Sequence, residues 1–150
     1  MNKNEFYMRE ALKEAKKAFD TDEVPVGAII VHKGEIIAKA HNQIRLLKDP
    51  TAHAEMIAIT QAANFLQNER LIGCSMYVTI EPCSMCAGAI VLSRIKALIY
   101  GACDPKTGAC GSVVNLISRK KLNHRVKVKK GILKNEAGSL LKEFFKRKRK

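Results

Sequence analysis

The sequence predicts an α/β protein, a three-layer α/β/α sandwich around a central mixed five-stranded sheet. Two observations carry that prediction. Helical apolar spacing and β-branched runs alternate along the 150 residues, as they do when helices cover both faces of a sheet. The first two strands are separated only by a tight turn and must pair antiparallel, whereas later strands are joined through helices.

Residues 4–19 place Met8, Leu12, Ala15 and Phe19 at three- and four-residue steps among lysines, which makes an amphipathic helix. Asp20 to Glu23 are turn-formers, and the β-branched run from Val24 to Val31 suits a buried strand. Lys33-Gly34 turns the chain into a partner strand over 35–41, and residues 42–49 read as polar connection. Pro50-Thr51 precedes an alanine-rich helix from His53 to Leu66; Ser75 to Ile80 is a strand, closed by Glu81-Pro82. Cys83 to Leu92 reads as a second buried helix, and Ile95 to Tyr100 as another strand. Three glycines and a proline mark residues 101–111 as a loop, after which a short helix at 113–118 is an option. Val126 to Ile132 alternates apolar and basic, as an edge strand with one wet face does. Ala137, Leu140, Leu141, Phe144 and Phe145 stripe a last helix, so that the chain forms one domain over 1–150 with a basic helix and tail over 136–150.

Composition narrows the function classes. No apolar run approaches the roughly 18 residues of a membrane span, and the first residues lack a secretion signal, so a cytoplasmic protein is expected. Five cysteines, an odd number, fit a reducing compartment better than a disulfide framework. The net charge of +13 is concentrated at one end: residues 119–150 hold 14 Lys and Arg against two acids, while the preceding 118 residues are nearly balanced. Such a tail suits a polyanion, or is simply a solvated basic end.

Chemistry gathers in a split motif, Thr51-Ala52-His53-Ala54-Glu55 and Glu81-Pro82-Cys83-Ser84-Met85-Cys86. One imidazole and two thiolates with a fourth position left for water describe a catalytic zinc site, since structural sites normally use four protein ligands. Cys83 and Cys86 share one face of a helical first turn, where the positive helix end favours thiolate. His53 and Glu55 would stand about 200° apart on a regular helix, so they serve one site only if the first turn is irregular. Alone, a CxxC in a reducing compartment is as readily a redox pair; joined to the HAE triplet it points to metal. Zinc with two thiolates and a neutral imidazole is formally neutral and acidifies water less than an all-histidine site, which throws weight onto Glu55 as proton carrier. Glu81, preceding a proline, is read as an anchor for loop backbone, and Cys74, Cys103 and Cys110 as small packed residues.

HAE with PCSMC resembles the cytidine deaminase-like superfamily. Residues 23–28, Tyr77-Val78-Thr79, 81–88 and Asn123-His124-Arg125 resemble the bacterial tRNA-specific adenosine deaminases, a likeness running from about residue 5 to 147. The resemblance implies deamination of adenosine to inosine at wobble position A34 of a tRNA, with tRNA-Arg expected, by a homodimer with one zinc per subunit. It implies that His53, Cys83 and Cys86 hold the zinc, that Glu55 shuttles protons, and that Asn42 contacts the nucleoside. Val26 and Ala54 are assigned to the substrate's pocket, and Asp104, Lys106, Asn123 and Phe145 to the anticodon stem-loop. Each has a plainer alternative: Asn42 as a turn cap, Asp104 in an Asx-turn, Phe145 as core, Val26 as only a strand residue. A deaminase of free guanine, cytosine or a nucleotide would use the same zinc chemistry but gives no reason for the basic end. A zinc-stabilised RNA-binding module leaves Glu55 unexplained.

Overall fold

The computed structural model describes residues 1–119 and 121–149. Along the chain run α1 (Lys3–Asp20), β1 (Gly27–His32), β2 (Glu35–His41), α2 (Ile44–Leu47), α3 (Ala54–Leu66), β3 (Cys74–Ile80), α4 (Ser84–Leu92), β4 (Ala97–Ala102), β5 (Lys127–Lys130) and α5 (Lys134–Lys148). The strands make one sheet in the order β2-β1-β3-β4-β5. β1 is antiparallel to both β2 and β3, whereas β3 with β4 and β4 with β5 are parallel. The expected mixed five-stranded sheet therefore forms, and its hairpin turns through Lys33 and Gly34 at φ 51° and 79°, the left-handed pair that a two-residue turn demands.

α1 and α5 pack on one face of the sheet, α3 and α4 on the other. The two-residue period of β3 serves both faces: Cys74, Met76 and Val78 enter the core beneath α3 and α4, while Tyr77 joins Tyr7, Met8 and Ala11 beneath α1. α1 seats on β1 through small residues. A Cβ on Gly27 would lie 2.1 Å from the Ala11 carbonyl oxygen and 2.4 Å from the Ala15 nitrogen, so only glycine lets the helix backbone come this close.

Three local expectations change. Residues 42–49 are not simple connection, because Ile44–Leu47 is a short helix. Residues 113–118 form no helix; Cys110 bridges Asn115, whose Oδ1 accepts the Ile117 and Ser118 N–H groups at 3.1 and 3.3 Å, a side-chain substitute for the helical bond. β5 has no dry face. All four of its residues are exposed, Val128 to 38%, and it is Val126 just upstream that enters the core. The basic helix expected from about 136 is α5, and Lys150 of the expected tail lies outside the described residues. Among the described residues no helix is long and apolar enough to cross a membrane.

Candidate active site

The irregular first turn that the HAE triplet requires is present. His53 is the residue before α3, with extended backbone (φ −75°, ψ 150°), and the helix begins at Ala54. His53 is thereby freed from helical spacing, and it and Glu55 line the same cavity. α4 repeats the device: Cys83 precedes the helix in extended conformation (φ −77°, ψ 178°), and Cys86 lies in the first turn. Neither His53 nor Cys83 makes a side-chain capping bond to its own helix, although the N-cap position usually supplies one. Both side chains turn instead toward a common point.

His53 Nδ1 lies 3.7 Å from Cys83 Sγ and 3.5 Å from Cys86 Sγ. All three ligand atoms fall within 4.8 Å of one another, the one such cluster among the described residues. Zinc bonds of about 2.3 Å to sulfur and 2.0–2.1 Å to nitrogen at a tetrahedral angle put S and N about 3.6 Å apart, so the donor set fits the ion in both identity and spacing. Electrostatics agree. Cys83 is held down to about 3, first by the hydrogen bond from Cys86 and then by His53. Cys86 is pushed up, first by its hydrogen bond with Cys83, then by burial and the Glu55 charge. Two thiols this close do not both ionise unaided, and a divalent cation at their centre is what allows it.

Beside the cluster is a cavity of about 200 Å³ walled by Val24, Val26, Asn42, Ile44, His53, Glu55, Ile80, Glu81, Cys83, Asp104 and Thr107. This is less than the roughly 300 Å³ of the smallest drug-sized pockets, which suits one heterocycle rather than a whole nucleotide. Glu55 is 4% exposed, and burial pushes its carboxyl up to about 7. At neutral pH such a group both accepts and returns protons readily.

Asn42 does two jobs. Its Oδ1 accepts the Ala54 N–H at 2.7 Å, fixing the start of α3, while its Nδ2 donors remain for whatever occupies the cavity. Ile44 is held by α2, whose Arg45 and Leu46 N–H groups bond the buried Glu23 carboxylate at 3.0 and 2.8 Å. Glu81 anchors the loop over 103–112, as expected: its carboxylate accepts the Asp104, Cys110 and Ser112 N–H groups at 3.0, 3.0 and 3.1 Å, and the Ser112 hydroxyl. Burial opposes its charge, but these bonds outweigh burial and hold the carboxyl below its ordinary value. With every lone-pair direction occupied, Glu81 is not a base for substrate. Gly108 makes the clasp possible, since a Cβ there would lie 2.4 Å from the Glu81 carboxyl carbon.

Residues 1–149 match the MafB19-like deaminase family. A tRNA-specific adenosine deaminase of Aquifex aeolicus (strain VF5) is 55% identical over 97% of this chain and 95% of its own length. The chain belongs to the tRNA-specific adenosine deaminase family. Among solved structures, one from a study of A-to-I editing by tRNA:A34 deaminases superposes with TM-score 0.88 and 46% identity over 91% of this chain and 99% of that one. A guanine deaminase of Bacillus subtilis agrees less, with TM-score 0.65 and 40% identity over 69% and 66% of the two chains.

The remaining expected residues fall into four places. Asp104 lies on the cavity wall, its Oδ1 accepting the Lys106 and Thr107 N–H groups at 3.0 and 3.2 Å; it forms the Asx-turn and lines the site as well. Asp104 and Thr107 continue into a second groove of about 750 Å³ with Lys106, Leu141, Lys142, Phe145 and Arg149. Phe145 is 42% exposed there, while its neighbour Phe144 is the buried one, edge-on to Phe19 with ring centroids 6.1 Å apart. Ala54 is fully buried and is not among the residues walling the base cavity; its N–H bonds Asn42, which is. Asn123 is not brought near: it lines a separate groove beyond the end of α4 with Leu92 and Leu122. Sequence reasoning missed Val24, Ile44, Ile80 and Thr107. Thr107 could have been found as the neighbour of Lys106 and Val24 as lying two residues from Val26, whereas Ile44 depends on a helix clamped from a distance.

Proposed function

We propose that the chain hydrolyses adenosine to inosine at wobble position 34 of a tRNA, tRNA-Arg being the expected species, as a cytoplasmic homodimer with one zinc per subunit. The observation that carries this reading is the convergence of His53, Cys83, Cys86 and buried Glu55 on a cavity sized for one base, in a member of the tRNA-specific adenosine deaminase family.

His53 Nδ1 and the Cys83 and Cys86 sulfurs would hold the zinc. When bound there, zinc supplies Lewis-acid activation of a water molecule. Glu55 takes one proton of the water and delivers it to a ring nitrogen of the adenine as the hydroxyl adds to the amine-bearing carbon; it then takes the remaining hydroxyl proton and passes it to the amine, so that the C–N bond breaks, the carbonyl forms and ammonia leaves. The raised affinity of Glu55 for protons suits both directions of transfer. Asn42 orients the base through its amide donors, and Val26 and Ile44 exclude water from its faces. A base inside an RNA loop must leave its stack to reach such a cavity, and the groove beside it offers the exposed Phe145 ring to a neighbouring base and Lys106, Lys142 and Arg149 to phosphates.

Zinc-loaded protein incubated with an A34 anticodon stem-loop, free adenosine, free guanine and free cytidine should make inosine in the stem-loop alone, read by mass spectrometry. Turnover of the free compounds without the stem-loop would overturn the reading in favour of a free-base deaminase.

A further inference from the structure

We propose that the open edge of β5 is a second RNA-contact surface, a row of cations that holds phosphates of the substrate's duplex stem outside the loop entering the active site. The inference rests on the reading of the substrate as RNA and concerns residues that line none of the grooves described above. Arg125, Lys127, Lys129 and Lys130 are all exposed. Among the described residues none of the four forms an ion pair with a carboxylate, although α1 and α5 lysines and arginines do. Three lysines in four strand residues, unneutralised, create a line of positive potential that an equally linear polyanion relieves.

Position joins this line to the active site. β5 is the last strand of the sheet and pairs with β4 alone, in parallel register with Tyr100 opposite Lys130. Gly131 N–H then donates to the Gly101 carbonyl at 3.1 Å, so the row ends at the foot of the loop whose Asp104 and Thr107 wall the base cavity. From there it runs roughly 10 Å back along the strand at about 3.3 Å per residue. Lys127 and Lys129 share a register face with Ile99, the face on which α5 packs. The row therefore starts beside the loop that an RNA entering the cavity must pass, and the proposal lays the stem phosphates of that RNA along it. Lysines on an edge strand also discourage pairing between copies; if that were their whole role, removing them would promote aggregation and leave RNA binding alone.

The test replaces Lys127, Lys129 and Lys130 together by Gln in the full zinc-loaded chain, with the triple Lys→Arg variant as the charge-preserving control. Binding is measured by fluorescence anisotropy from low to high salt, for full-length tRNA and for a minimal A34 hairpin with a two-base-pair stem. The Gln variant should bind full-length tRNA roughly tenfold more weakly at low salt, with a slope of log K against log salt shallower by about two to three, since each lost phosphate contact removes about 0.9. The minimal hairpin should lose less than threefold, the single-turnover rate at saturating tRNA should stay within twofold, and the Arg variant should restore both affinity and slope. Unchanged affinity and slope for full-length tRNA would overturn the proposal, as would an equal loss on both RNAs, or loss of binding to anionic vesicles or an acidic peptide with tRNA binding intact. A wild-type protein that forms no inosine in either RNA overturns the function reading instead, and the salt slopes still decide the edge.

Discussion

Glu55 is the residue on which the chemistry turns, because it is a buried carboxyl on the cavity wall that burial pushes up to about 7, whereas the loop clasped by Glu81 holds the Glu81 carboxyl below its ordinary value. Glu55→Gln keeps the shape of the side chain and removes its capacity to take up and release a proton. Zinc content, measured by elemental analysis, and affinity for the stem-loop should be unchanged, while the single-turnover rate falls by about 10²–10⁴, the usual worth of a positioned acid-base group. Retained turnover would mean that another group carries the proton. The identity of this site was readable in the sequence, since one imidazole, two thiols and a carboxylate in two short motifs leave few chemistries. Its geometry was not, because the helical angle between His53 and Glu55 argued against convergence. The resolution lies in one backbone torsion pair, the extended conformation of His53, which no side-chain pattern reveals. Glu81 was readable for a different reason: a carboxylate before a proline and ahead of a glycine-rich loop has backbone N–H groups to satisfy.

At the scale of elements, long periodic stretches were read correctly and short ones were not. α1, α3, α4 and the first four strands each bury a regular set of side chains, so their periods appear in the sequence. α2 has only four residues and is stabilised by Glu23, about twenty positions away, through the two N–H bonds described above. A local window cannot show that. Glu23→Ala should strand the Arg45 and Leu46 N–H groups and cost about 1–3 kcal/mol, read by urea denaturation. It should also raise KM for the stem-loop more than it lowers kcat, because Ile44 walls the cavity without touching the proton path; an unaltered KM would separate α2 from substrate binding. β5 misled for the opposite reason, since alternation is evidence of two different environments only where a second layer covers one face, and neither α3–α4 nor α5 covers β5.

For the whole molecule, charge is the governing quantity. A protein balanced over its first 118 residues and carrying 14 cations against two acids thereafter has a strong electrostatic direction, and α5 carries much of it toward the groove beside the base cavity. Part of that charge also does structural work: Lys148 and Arg45 both pair with Asp22, and Arg147 stacks 4.7 Å from the Phe19 ring centroid. Ending the chain after Phe145 should weaken stem-loop binding and flatten its dependence on salt, with a lowered melting temperature from the lost anchoring of α5 to α1. A filter-binding series at several salt concentrations, with a thermal melt of the same samples, separates the two effects; an unchanged slope would reduce the tail to packing alone.

The antiparallel pairing of β1 with β3 has a consequence for how the three ligand atoms come together. The hairpin and α3 hold the imidazole and the proton carrier; β3, α4 and β4 hold the two thiols. Neither half has a complete ligand set. If zinc is held there, a nascent chain that has made only the first half would have one of the three ligands, and the full set would exist only once β3 has docked in register beside β1. Zinc retention would then report completed sheet assembly.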